Sequence, residues 1–347
     1  MAKTSIPHRS HEAPIAVLGA GSWGTTLAHL IAQTGHNVRL WGRDEQVAAS
    51  INEEHVNRRY LDGFGLHEDV VASTDLAATV DGVSYILMVL PSSAFRAVCQ
   101  QLAPMLHPSQ AIFHATKGVE RESYARMSQI ILAETCVRQY GVISGPNIAR
   151  EIMEGKPSGT VVATPFPRLA EAARAFLTSP SFRVYENRDV VGVELGGTLK
   201  NIIAIASGIS SELNLGENAK ALLLTRGLQE MIRIGVAFGA EAKTFSGLSG
   251  IGDLMVTCNS EHSRNFRFGR GLAKGQSVEE IRVSLGMVAE GVFASKVASD
   301  FVQAKGLETP IMQAVYSVVH EGSASIETLS QLMQNESRPD VDFGPGH

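Results

Sequence analysis

The sequence predicts an α/β protein in two parts, a doubly wound sheet followed by an all-helical domain, and three observations predict it. From Ile15 to about Asn187 short apolar runs alternate with amphipathic stretches, the pattern of parallel strands covered on both faces. After Asp189 the β-rich runs stop and a 3.6-residue period takes over, carried by Val190, Val193, Leu199, Ile202, Ile203, Ala206 and Ile209. At 347 residues with 44% hydrophobic content, the chain exceeds what one core holds. The expected boundaries are a flexible tail over 1–13, a sheet domain over 14–188, a helical domain over 189–335 and a disordered tail over 336–347, where prolines and glycines leave little to bury.

The expected strands run Ile15 to Leu18, Asn37 to Trp41, Ser84 to Leu90, Ala111 to Ala115, Gly141 to Ser144, Gly159 to Ala163 and Phe182 to Tyr185, with Gly, Pro or Asp near most of their ends. In the second half, helices are expected over Asn218 to Phe238, after Ser263, over Glu290 to Val302 and over Pro310 to His320. Gly239, Gly271 and Gly306 read as stop signals.

Charge and cysteine usage exclude several classes. A formal net charge of -5, with both signs interspersed, gives no cationic field for a nucleic acid or an anionic membrane. Cys99, Cys136 and Cys258 stand far apart in no metal-ligand spacing, which fits buried thiols in a reducing compartment. The first thirteen residues are polar, and the run from Tyr85 to Leu90 is too short to span a membrane. A cytoplasmic protein with no metal is the expectation.

Residues Ile15 to Gly24 read IAVLGAGSWG, an apolar strand entering GxGxxG and then a helical pattern of Leu27, Ala28, Leu30 and Ile31. In this context Gly19 permits the tight turn, Gly21 lets the backbone approach a pyrophosphate, and Gly24 lets the helix pack on the strand. The first domain is therefore expected to be of Rossmann type and to bind NAD or NADP. Gly42 stands where an NAD fingerprint would place an acid, and Arg43 beside it can face a 2′-phosphate, which favours NADP. Asp44 keeps NAD open, although it can equally cap the following helix.

Carbonyl reduction by a nicotinamide needs a proton donor and a pocket for the carbon. Lys200 in ELGGTLKN can be the donor, with Gly196 and Gly197 on the same helical face leaving room beside it; the alternative is a solvated lysine on a helix whose glycines permit close packing. Ser263, Arg264 and Asn265 at an expected helix start can grip a phosphate, or Arg264, Arg267 and Arg270 can form a solvated basic face. Lys117 in ATKG and the turn SGPNIA, from Ser144 to Ala149, follow strands at the end where open α/β sheets bind ligands. Asp253 in GIGDL can charge-balance Lys200, or cap a helix beside a glycine turn.

Together GAGSWGTTLA, ATKGVE, ISGPNIAREI, VGVELGGTLKNIIAIASGI, TRGLQEM, LSGIGDLMVTC, SRNFRFGRGL and VAEGV resemble bacterial NAD(P)-dependent glycerol-3-phosphate dehydrogenases from about Ile15 to Glu321. The resemblance implies a 6-phosphogluconate-dehydrogenase-like architecture. It also implies the interconversion of sn-glycerol 3-phosphate and dihydroxyacetone phosphate for glycerophospholipid synthesis. It implies that Lys200 exchanges the proton, that Lys117, Gly145, Asp253, Ser263, Arg264 and Asn265 contact substrate, and that Ser22, Trp23, Arg43, Lys117, Ala149, Arg264, Val288 and Glu290 line the dinucleotide. Asn147 stands where the family commonly has Ser or Thr, so that substrate contact is expected to be altered. A homodimer is expected. Rival readings are a related dehydrogenase acting on a 2-hydroxy acid or 6-phosphogluconate, and a non-catalytic dinucleotide-binding redox sensor.

Overall fold

A computed structural model describes residues 13–120, 122–286 and 289–324. Residues 1–12 of the expected tail over 1–13, the whole expected tail over 336–347, and Val288 lie outside the described residues.

The first half alternates strands and helices: β1 (Ile15–Leu18), α1 (Ser22–Gln33), β2 (Val38–Trp41), α2 (Glu45–Glu54), β3 (Val70–Ser73), α3 (Leu76–Val80), β4 (Tyr85–Met88), α4 (Ser92–Leu102), β5 (Ala111–His114), α5 (Met127–Glu134), β6 (Gln139–Ser144), α6 (Ala149–Met153), β7 (Ser158–Ala163), α7 (Pro167–Leu177) and β8 (Phe182–Asn187). They form one sheet in the order β3-β2-β1-β4-β5-β6-β7-β8. Its central strands bury both faces, as their continuous apolar runs require; Ile15, Val17, Leu87 and Phe113 face one core and Ala16, Leu18, Ile86 and Ile112 the other.

Two features differ from the sequence expectation. The sheet is not wholly parallel, because β6 and β7 pair antiparallel, with Val142 opposite Ala163 and Ser144 opposite Val161, before β7 and β8 resume parallel pairing. The intervening segment contains one short helix, α6, and returns the chain alongside β6 in the opposite direction. The expected list also lacks β3. That strand is an edge of four residues with Val71 exposed, so its apolar run is too short to announce itself.

The second half comprises α8 (Val190–Glu212), α9 (Glu217–Ala237), a π-helical turn at Leu248–Gly252, α10 (Asp253–Asn259), α11 (Arg264–Ala273), α12 (Val278–Leu285), α13 (Glu290–Lys305) and α14 (Pro310–His320). Helix α8 is its axis: Leu195, Leu199, Ile202, Ile203 and Ile205 share a core with residues of α9, α10, α11, α13 and α14. Its length and apolarity would suit a membrane span, but it is mostly buried inside the protein, as a core helix is. Gly306 ends α13 with φ 63°, and Gly239 follows α9 with φ 91°. Gly271 does not stop a helix; it lies within α11, where a methyl would come 2.7 Å from Ile281, and Gly275 at φ 80° takes the expected role.

Asp189 stands at the junction of the two halves and ties together the start of the second. One carboxylate oxygen caps α8 by accepting from the Gly192 N–H at 2.8 Å. The other accepts from the Glu241 N–H at 2.8 Å and the Thr244 hydroxyl at 2.7 Å. Replacing Asp189 by Ala removes a helix cap and strands two further donors. The expected cost is about 2–4 kcal/mol by urea denaturation, and a loss under about 0.5 kcal/mol, the range of ordinary surface changes, would show that the carboxylate is dispensable.

Candidate active site

The glycine-rich turn lies where the strand order reverses, between β1 and β4, the place at which open α/β sheets leave a crevice. Gly19 has φ 124°, and a methyl there would come 2.2 Å from the Val89 carbonyl oxygen. A methyl at Gly24 would come 1.8 Å from the Gly19 carbonyl oxygen, so helix and turn touch backbone to backbone. At Gly21 nothing lies within 4 Å. Gly21 is also the N-cap of α1 and supplies no side-chain cap, so the helix end presents its amides and positive potential to open space. This cradle fits the pyrophosphate of a dinucleotide.

A second loop is tied to that turn. The Asn57 amide donates to the Ala20 carbonyl at 2.9 Å and to the Thr25 hydroxyl at 2.8 Å, and the Ser22 hydroxyl donates to the Tyr60 carbonyl at 3.0 Å. The absence of an acid at Gly42 has a steric reason, since a methyl there would come 2.7 Å from the Ala20 Cβ. Asp44 caps α2, accepting from the Gln46 and Val47 amides, and Arg59 pairs with its other oxygen. Arg43 is exposed at the end of β2. Trp23 packs against Phe182, ring centres 6.4 Å apart.

Beyond the neighbouring strands β5 and β6 the structure assembles a cluster of charge. Lys200 on α8 is 4% exposed. Its Nζ donates to Asp253 Oδ1 and, at 2.6 Å, to the Thr257 hydroxyl. Lys117, three residues past the end of β5, donates from Nζ to the other oxygen of Asp253 at 2.7 Å and to the Gly145 carbonyl at 3.0 Å. One carboxylate, 2% exposed, thus holds two ammonium groups from opposite halves of the chain. Burial pulls the Lys200 pKa down to about 7; Asp253 opposes that shift and Lys117 adds to it.

Two sequence readings need correction here, and one open alternative is decided. Gly196 and Gly197 do not open space beside the ammonium. A methyl at Gly196 would meet the Ser249 carbonyl at 2.6 Å, and one at Gly197 the Ser144 hydroxyl at 2.8 Å and the Lys117 stem at 3.4 Å, so these glycines admit close packing around a lysine that is itself buried. Cys136 is only half-buried, while Cys99 and Cys258 are buried, and all three are free thiols. Asp253 opens α10, but its side chain bonds lysines and does not cap the helix.

The other expected ligand groups are distributed around this cluster. Asn265 donates to the Asn201 side chain at 2.9 Å and accepts from the Gly291 N–H at 2.9 Å, which joins α11 to the residue after Lys200 and to α13. Ser263 caps α11 by accepting from the Phe266 N–H at 3.3 Å. Arg264 opens that helix; desolvation lowers its pKa and the Glu290 carboxylate opposes the change. The two other arginines of the expected basic face part company, Arg267 being exposed and Arg270 paired with Glu212 and Glu261. Glu290 accepts from the Ser92 hydroxyl at 2.8 Å, bringing α13 to the start of α4. Asn147 turns toward β7, donating to the Gly159 carbonyl at 3.1 Å and accepting from the Thr160 hydroxyl at 3.0 Å. Asn147 and Asn265 each donate one amide N–H in these contacts. Ala149 opens α6.

Sequence reasoning passed over Thr257, Asn57 and Glu194. Thr257 had a signal, lying one helical turn after Asp253 in DLMVT. Asn57 had none, because the groups to which its amide N–H donates lie more than thirty residues away.

Substitutions at the cradle separate its two glycine roles. Gly21→Ala is expected to leave the melting temperature unchanged while weakening dinucleotide binding at least about tenfold, by placing a methyl where the pyrophosphate approaches. Gly24→Ala is expected to lower the melting temperature as well. Titration of cofactor fluorescence alongside thermal melts checks both, and unaltered binding by the Gly21 variant would remove the cradle reading.

Comparison with known proteins gives a consistent assignment. The family model described as NAD-dependent glycerol-3-phosphate dehydrogenase N-terminus matches residues 14–170, and the corresponding C-terminus model matches residues 189–330. The glycerol-3-phosphate dehydrogenase [NAD(P)+] of Nitratidesulfovibrio vulgaris Hildenborough is 43% identical over 326 residues, covering 93% of this chain and 99% of that protein. The enzyme of the same name from Lactiplantibacillus plantarum is 43% identical over 333 residues, covering 94% and 98%. The crystal structure of glycerol-3-phosphate dehydrogenase from Coxiella burnetii superposes with a TM-score of 0.89 at 38% identity, covering 93% of this chain and 99% of that one. With both halves matched, and the glycine cradle and lysine–aspartate cluster in the matched segments, the chain belongs to the NAD-dependent glycerol-3-phosphate dehydrogenase family.

Proposed function

We propose that this protein is an NAD(P)-dependent sn-glycerol-3-phosphate dehydrogenase that reversibly reduces dihydroxyacetone phosphate to sn-glycerol 3-phosphate and so supplies glycerophospholipid synthesis. The observation that carries the reading is the buried Lys200 ammonium, held by Asp253 and with its pKa lowered to about 7. Residues 14–188 bind the dinucleotide and residues 189–335 supply the proton and most of the phosphate contacts. Gly19, Gly21, Gly24, Ser22, Trp23, Arg43, Lys117, Ala149, Arg264 and Glu290 are the proposed dinucleotide contacts, and a bound reduced nicotinamide supplies a hydride to the ketone carbon. Arg43 favours NADP over NAD.

The substrate phosphate is held by Arg264, Asn265 and the positive N-terminal end of α11. Lys117, Gly145 and Asn147 face the rest of a three-carbon ligand. In reduction, Lys200 in its protonated form stabilises the developing alkoxide and gives up a proton to it, while Asp253 and Thr257 hold the amine in place. In oxidation, neutral Lys200 accepts the hydroxyl proton. A pKa of about 7 suits both tasks, since either form is accessible near neutral pH. The rival substrates, a 2-hydroxy acid and 6-phosphogluconate, are not favoured, and neither is a sensor without turnover. Three free thiols suit a reducing compartment, and a cytoplasmic enzyme is the form we propose. We propose a homodimer because the helical half leaves Leu222, Val236 and Met255 exposed, apolar area that a second copy would cover; sedimentation as a monomer would exclude this.

An absorbance assay with dihydroxyacetone phosphate, run in parallel with NADH and NADPH, tests reaction, substrate and cofactor together; equal activity on an unphosphorylated triose would overturn the phosphate assignment. Lys200→Ala is expected to lower turnover at least about 10²-fold with dinucleotide affinity intact, and near-normal turnover would remove Lys200 from the chemistry. The pH dependence has a defined sign. Reduction, which uses the protonated amine, declines as pH rises through about 7, and oxidation rises over the same interval. Because Lys117 lowers the Lys200 pKa, Lys117→Gln should move both limbs to higher pH. Asp253→Asn should move them lower, by removing the carboxylate that sustains the ammonium.

A further inference from the structure

A second buried carboxylate lies on α8, six residues and about 9 Å of helix before Lys200. Glu194 is 4% exposed and receives four donors. Its Oε1 accepts from His114 Nε2 at 2.9 Å and from the Ser128 N–H at 2.8 Å. Its Oε2 accepts from the Ser128 hydroxyl at 2.8 Å and from the Arg126 guanidinium. Desolvation pushes the carboxyl pKa up, but the His114, Arg126 and Ser128 donors outweigh it and hold the group below the ordinary carboxylate range. Every donor belongs to the sheet half of the chain, on β5 and at the N-terminal end of α5, whereas the acceptor belongs to the helical half. No sequence motif brought these residues together.

Their places along the chain give the contact a consequence at the active site. His114 is the last residue of β5, and Lys117 follows it by three residues. Lys200, Asp253 and Thr257 all belong to the helical half and bond one another within it. Among the described residues, Lys117 alone bonds that cluster from the sheet half, and the Gly145 carbonyl holds Lys117 in turn. The distance between the two ammonium groups therefore depends on how α8 is seated against the end of β5, and Glu194 is the buried ionic contact that seats it. We propose that Glu194, clamped by His114, Arg126 and Ser128, is a positioning residue that sets the separation of Lys117 from Lys200 and thereby tunes the proton donor.

The proposal rests on the reading of Lys200 as proton donor, so its test includes a measurement independent of turnover. The full-length protein is subjected to competitive acetylation across a pH series, and mass spectrometry reads the midpoint at which the Lys200 amine becomes reactive. Steady-state reduction of dihydroxyacetone phosphate and dinucleotide affinity are measured on the same preparations. Glu194→Gln puts an amide N–H₂ against existing donors. His114→Phe removes one donor, and His114→Gln retains one. Loosening the clamp withdraws Lys117, whose charge lowers the Lys200 pKa, so the acetylation midpoint should move to higher pH in Glu194→Gln and His114→Phe and stay near the parent value in His114→Gln. Turnover should fall at least about tenfold in the first two, with dinucleotide affinity within about twofold of the parent. Should Glu194→Gln fail to fold, the two His114 variants carry the comparison.

An unshifted midpoint and parental turnover in folded His114→Phe would overturn the proposal and leave Glu194 a structural ion pair. Equal loss in His114→Gln and His114→Phe would also overturn it. If the parent protein fails to reduce dihydroxyacetone phosphate at all, the functional reading falls, while the acetylation midpoints still decide whether Glu194 tunes Lys200.

Discussion

The arrangement depends on Asp253, one buried carboxylate between two ammonium groups. Removing charge from water is costly, and two cations with one anion leave a net positive charge that the surroundings must tolerate. The protein compromises by depressing the proton affinity of the more buried of the two lysines, Lys200, instead of pairing it fully. The same unbalanced cluster is suited to an anionic, phosphate-bearing ligand. A ketone oxygen that becomes an alkoxide places negative charge beside the group able to neutralise it.

Elements from both halves of the chain converge on that carboxylate. The sheet brings β5 and β6 side by side so that Lys117 and Gly145 emerge together at their carboxyl ends. Helix α8 delivers Lys200 from the other half, and α10 delivers Asp253 and Thr257 from a turn packed tightly against Gly196. Asp189 and Glu194 then hold α8, the first at its N-cap and the second against the end of β5. A helix secured by buried polar contacts at both places has little freedom to slide, and the lysine it carries is correspondingly fixed.

The dinucleotide cradle follows a different logic, because its requirements are steric and local. Gly19 and Gly24 are demanded because a methyl there would come 2.2 and 1.8 Å from a backbone carbonyl oxygen, whereas Gly21 borders open space. The acid missing at Gly42 reflects the same crowding, since the Ala20 methyl occupies the ground on which a side chain would stand. On the proposed reading, cofactor recognition passes to groups beyond Gly42, such as Arg43.

Much of this could be read from residues adjacent in the chain. Period-2 and period-3.6 patterns, the spacing of Gly19, Gly21 and Gly24, and the caps at Asp44 and Ser263 all encode local backbone geometry, and local geometry depends on neighbours in sequence. The antiparallel turn of β7 against β6, the edge strand β3 and the filling of space around Gly196 and Gly197 were decided by partners far along the chain. So were the sharing of Asp253 between Lys117 and Lys200, 136 and 53 residues from it, and the Glu194 clamp, whose His114 and Ser128 donors lie 80 and 66 residues away. Hydrogen bonds of that separation leave no periodic trace in one sequence, since they are selected by the packing of two layers and not by the conformational preference of any segment.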